Sequence, residues 1–157
     1  MTNVKQAIPA AVANLQAAYG APSQAGFGSA VFYEPTPPEA DLEQAALAKY
    51  RYFVGELWER YGEAAWRGPW QQVAARPAGA QPNIVAELKG IKNTGAALSV
   101  PMLLDNDAGA LAAVFDDPTV TELRVFTAGD GAAMSGLLIA GRCPATASAV
   151  FLVFLMD

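Results

Sequence analysis

The sequence predicts an α+β fold: a mostly antiparallel sheet ending in a three-stranded C-terminal meander, packed by a long amphipathic helix and shorter helices. The first observation behind this is a set of β-type runs at residues 121–127 (TELRVFT), 133–140 (AMSGLLIA) and 149–156 (AVFLVFLM). The second is that the last two runs are apolar at both parities. Val150, Leu152, Phe154 and Met156 point one way, and Phe151, Val153 and Leu155 point the other. Strands of that kind must be covered on both faces. The third is the recurrence of Leu42, Ala46, Tyr50, Phe53, Leu57 and Tyr61 at three- and four-residue steps, the mark of a helix with one buried side.

Each element follows from local signals. Pro9 suits a first helical turn, and Val12, Leu15 and Tyr19 carry the helix to a stop at Gly20. Residues 29–33 (SAVFY) read as a strand. Thr36-Pro37-Pro38-Glu39 has the spacing of a capping box, so the long helix is expected to start there and run unbroken to Tyr61, with Gly62 as its stop. Trp66 and Trp70 flank a turn-like Arg67-Gly68-Pro69 and are expected to fold back over the core. Residues 75–81 look like a linker, and a helix over 83–91 puts Ile84, Leu88 and Ile91 on one side.

Residues 97–104 read as a strand, confined to a sheet edge because Pro101 has no N–H to give. A helix over 108–115, capped by Asn106 or Asp107, then leads to the run at 121, a distance that permits a parallel crossover. Asp130-Gly131 predicts a two-residue hairpin turn, with Val125 opposite Gly136 and Leu123 opposite Leu138. The expected organisation is one globular domain over 1–157, its N-terminal half mainly helical and its C-terminal half mainly strand. The long helix covers one sheet face, and the shorter helices or a partner must cover the other.

Composition narrows the functional classes. A net charge of −5, with ten Lys and Arg residues scattered singly, argues against nucleic acid and favours a basic protein surface as partner. Self-association is left open. The apolar stretch 8–13 is short and soon interrupted by Asn14 and Gln16, unlike a signal-peptide core, and no run reads as a membrane span. A single cysteine, Cys143, fits a reducing cytoplasm.

Histidine is absent, which removes the commonest general base and the imidazole metal ligand together. Cys143 therefore has no histidine partner and reads as structural. Ser135 lies in Ala-Met-Ser-Gly, which is not a nucleophile elbow. Asp105-Asn106-Asp107 starts like a calcium loop, but Ala108 and Gly109 break the alternation, so helix capping explains it better. Gly129-Asp130-Gly131 joins two strands and reads as a turn, not a phosphate cradle. No catalytic, cofactor or metal residue is assigned.

The leading expectation is thus a non-enzymatic cytoplasmic interaction protein, of the kind that bacterial immunity and inhibitor proteins represent. The alternatives are a small-molecule binder with an apolar pocket between long helix and sheet, and an enzyme using carboxylates or a cofactor. Tyr52, Glu56, Trp58 and Glu59 are the partner-binding candidates, because large aromatics beside carboxylates can anchor a basic partner.

Overall fold

The strands that are apolar on both faces form the middle of the sheet. The computed structural model describes residues 8–24, 26–37, 39–77, 79–129 and 134–156, with backbone alone at 94, 95 and 97. The strands are β1 (Gly28–Pro35), β2 (Gln72–Ala75), β3 (Glu122–Gly129), β4 (Ser135–Cys143) and β5 (Ser148–Met156). They lie in the order β1-β5-β4-β3-β2, and every neighbouring pair is antiparallel. The expected meander is therefore present, and the parallel crossover that the spacing permitted does not occur among the described strands. The edges are β1 and the short, bulged β2, which the sequence did not reveal as a strand.

Helices cover both faces. On one side α1 (Ala10–Tyr19), α5 (Ile84–Lys89) and α6 (Thr94–Phe115) pack on Val31, Val125, Leu137, Ile139 and Leu152. On the other side α2 (Leu42–Val54), α3 (Glu56–Tyr61) and α4 (Glu63–Arg67) pack on Phe32, Phe126, Leu138, Phe151 and Val153. β5 feeds both cores by simple alternation, as its two-sided pattern requires.

The long helix departs from expectation at both ends. Asp41, not Thr36, is its cap and accepts from the Glu43 and Gln44 amides at 2.9 and 3.2 Å. The Thr36 hydroxyl instead donates to the Glu34 carbonyl. At its C-terminal end the helix stops at Val54, because Gly55 adopts φ 67 and its N–H closes on the Arg51 carbonyl at 3.0 Å. Glycine enters that left-handed region without a Cβ penalty, so the periodicity runs on in sequence while the backbone turns. Phe53 faces the sheet fully buried and Leu57 packs at its margin, whereas Tyr61 is exposed.

Residues 97–104, expected as an edge strand, lie inside α6. Ala96, Val100 and Leu103 are buried at helical steps, and Pro101 stands on the exposed side, where water can replace the missing helix bond. The helix kinks at Asp107 (φ −161, ψ 80). There the Tyr19 hydroxyl donates to the Leu103 carbonyl at 2.6 Å and accepts the Asp107 N–H at 3.1 Å. These are the two groups that an unbroken helix would pair with each other. Asp107 then accepts the Ala110 N–H at 3.0 Å, so the capping role expected at this position holds. The stretch Leu98–Phe115 is long and apolar enough to cross a membrane by length and composition alone. Here Leu103, Leu111 and Phe115 from it are fully buried in the core.

The hairpin register also needs correction. Val125 lies opposite Ile139 and Leu123 opposite Gly141, three residues from the register a two-residue turn imposes. Asp130-Gly131 itself lies outside the described residues. An odd shift exchanges sheet faces. In the observed register Leu123, Val125, Leu137 and Ile139 all enter one core. Gly136 permits the close approach of β5, since a Cβ there would stand 1.7 Å from the Phe154 carbonyl oxygen.

The linker-like stretch is tied down at its start. Arg76, with a side chain only 5% exposed, grips both carboxylate oxygens of Glu87 at 2.7 and 2.8 Å. It also donates to the Phe115 carbonyl at 2.9 Å and reaches Asp116 at 3.3 Å. One guanidinium thereby joins β2, α5 and the C-terminal end of α6, where a cation suits the helix dipole.

Candidate functional site: the groove outside the aromatic face

Gly55 makes an elbow between α2 and α3, and Gly62 (φ 89) makes a second bend into α4. These bends set α3 and α4 beside the outward side of α2 and leave a groove between them. Its first basin, about 580 Å³, is walled by Gln24, Arg51, Tyr52, Glu56 and Glu59. The second, about 260 Å³, is walled by Gln44, Leu47, Trp58, Glu63 and Arg67. Ala48 and Arg51 line both basins, so the two form one continuous depression.

All four residues singled out in the sequence line this depression. Tyr52 is 48% exposed and stands at its rim, with its ring edge-on to Phe32 at 5.8 Å. Glu56 and Glu59 are exposed on α3, and Glu56 has no ion-pair partner among the described residues. Trp58 is a correction: it is 4% exposed and belongs to the core, so it floors the second basin and is not an accessible anchor. Burial follows from the elbow, which turns α3 back so that Trp58 meets Tyr50 edge-on at 5.2 Å and lies parallel to Trp66 at 6.5 Å.

The charges in the groove are paired only at the solvent-exposed surface. Arg51 is 3.8 Å from Glu59 and lies over the Trp58 ring at 5.8 Å, and Arg67 is 3.5 Å from Glu63. The side chains in these pairs are about half exposed or more, and such pairs contribute little and rearrange easily. Arg51 and Arg67 were not singled out in the sequence. Their role depends on the bends at Gly55 and Gly62, which no helical periodicity reveals.

Cys143 and the two carboxylates that follow α6 also make contacts within the fold. The Cys143 thiol is buried, which pushes its pKa up. Asp116 accepts the Ile84 N–H at 2.7 Å, and Asp117 closes a turn on the amide and hydroxyl of Thr119. Those two bonds hold the Asp117 carboxyl below its ordinary value. Among the described residues, no three carboxylate or thiol groups converge as a metal-ligating cluster. Tyr50, Phe53, Phe126 and Phe151, none of them measurably exposed, fill the space between α2 and the sheet where a ligand pocket was the alternative expectation. Comparison with protein-family models, with curated proteins and with solved structures found no match.

Proposed function

We propose that this protein is a non-catalytic binding module that holds a basic segment of a partner protein in the groove between α2 and α3–α4. The observation that carries the reading is the acidic α3 wall of the groove, with Glu56 outside every ion pair among the described residues and Tyr52 exposed beside it. An incoming Lys or Arg meets carboxylates that need little desolvation and an aromatic ring that offers cation–π contact. Arg51 can leave Glu59 at small cost, because their pair is long and solvent-exposed. The neutralising role of an immunity or inhibitor protein is the form of this reading in which the basic partner is itself a toxin or enzyme. A cytoplasmic setting, proposed on the single cysteine, belongs to the same reading.

A photo-crosslinking residue at position 52 tests it in cells. A basic protein should be captured from position 52 and not from the exposed Asn14 on α1, which packs on the opposite sheet face. Glu56→Lys with Glu59→Lys should slow association of the purified partner by about tenfold and flatten its salt dependence. Equal capture from position 14, or association kinetics unchanged by charge reversal, would remove the groove as the binding surface.

A further inference from the structure

Across the sheet from the groove, the start of α1, the end of α6 and the adjoining strands enclose a partly open cleft of about 100 Å³. Val12, Val114 and Val150 are among its apolar lining, and Tyr33, Asp117, Thr119, Cys143 and Thr146 supply its polar groups. A mostly apolar hollow with a few polar groups has the composition of a small-ligand site, at well below the usual volume of about 300–1,000 Å³. The polar groups differ in charge. Asp117 receives both Thr119 bonds on one oxygen, Oδ1, so its other oxygen has no partner among the described residues. The same bonds favour the charged carboxylate, whereas burial keeps the Cys143 thiol neutral. One exposed anionic acceptor, Asp117, therefore borders a largely apolar hollow, with a neutral thiol at Cys143.

We infer that this cleft binds a small alkylammonium ion, its branched apolar body on the valine lining and its ammonium on the Asp117 carboxylate. The volume sets the size. Apolar cavities of about 150 Å³ accept benzene, so this one suits a body of roughly four or five carbons. The site is independent of the groove, because it lies in the opposite core and shares no residue with it.

Amide NMR titrations of the full chain with isopentylamine and with isopentyl alcohol test the inference, since the two probes share a body and differ in charge. The amine should shift the amides of Val12, Val114, Val120 and Cys143 and bind about fivefold more tightly than the alcohol. Asp117→Asn keeps an oxygen for Thr119 and should remove the preference for the amine. Asp105→Asn, an equal charge change on the exposed side of α6, should leave the preference intact. Val114→Phe should fill the cleft and abolish binding of both probes. If that variant does not fold, the two aspartate variants still decide. Equal affinity for amine and alcohol, loss of the preference in both aspartate variants, or shifts outside the cleft would each overturn the inference.

Discussion

On one side of the sheet the core is mostly aliphatic, with Leu15, Leu103, Leu111, Ile139 and Leu152 beside Tyr19 and Phe115; on the other, Tyr50, Phe53, Trp58, Trp66 and Phe126 pack as rings among smaller aliphatics. The aliphatic core carries few polar atoms, and its strongest polar link, Arg76, sits at the periphery where β2, α5 and α6 end. The aromatic core has polar atoms inside it. The Tyr50 hydroxyl lies 2.7 and 2.8 Å from the Trp66 and Gly129 carbonyls and accepts the Gly129 N–H at 3.0 Å. Trp66 donates to the Leu57 carbonyl and Trp70 to the Glu43 carboxylate, each at 3.0 Å. Aliphatic packing is non-directional, so that face is governed by shape and volume. Rings with N–H and O–H groups add direction, and they fix the path of α3 and α4. The faces thus differ in use as well as in packing: the bends that serve the aromatic core also build the groove outside it.

Four measurements sharpen or break this comparison. Truncation before Val150 should abolish folding. It removes Leu152 from one core and Phe151 and Val153 from the other, each worth about 1.5–3 kcal/mol. A truncated chain that keeps cooperative unfolding by circular dichroism would show that the faces do not depend on their shared strand.

Phe53→Ala and Leu111→Ala compare the cores directly, since both side chains have no exposure. Chemical denaturation should show losses of about 3–5 kcal/mol and about 2–5 kcal/mol. A near-zero loss for Phe53 would mean that α2 does not close on the sheet.

Each face also has a tyrosine hydroxyl that satisfies backbone groups, Tyr50 on the aromatic side and Tyr19 at the α6 kink. Tyr50→Phe and Tyr19→Phe should each cost about 1–3 kcal/mol, because buried backbone groups lose a partner. The Tyr50 variant should lose more, as Tyr50 is fully buried while Asp107 at the kink is exposed and can be hydrated. Reversal of that order would place the more demanding polar centre on the aliphatic side.

The smallest effects are expected at the two buried polar atoms without a partner among the described residues, Trp58 Nε1 and Ser99 Oγ. Ser99→Ala should raise stability by up to about 1 kcal/mol by deleting an unmet hydroxyl. Trp58→Phe should cost less than Trp66→Phe, since only Trp66 loses a hydrogen bond. Destabilisation by Ser99→Ala would show that its hydroxyl is met by an internal water.

Sequence by itself determined the parts whose pattern is local. The alternation in β5 and the Val12, Leu15 and Tyr19 spacing in α1 report burial within a few residues, and both match the structure. Asp107 as a cap was equally legible, because a side chain that bonds the amide three residues on needs no distant partner. The candidates Tyr52, Glu56 and Glu59 emerged for the same reason, as an aromatic and two acids at helical spacing.

Only the tertiary structure decided the rest. Pro101 argues against a central strand but does not say that residues 97–104 are helical; α6 forms there because Ala96, Val100 and Leu103 find the core. The kink at Asp107 requires Tyr19, 88 residues away. Trp58 is core rather than surface because the elbow at Gly55 brings it to Tyr50, and the hairpin register is set by which face Leu123 and Ile139 share. The groove and the valine-lined cleft each join residues from several elements, so neither has a signature along the chain. Periodicity reports which residues seek burial; which surfaces they meet, and what hollow remains between them, depends on contacts between distant segments.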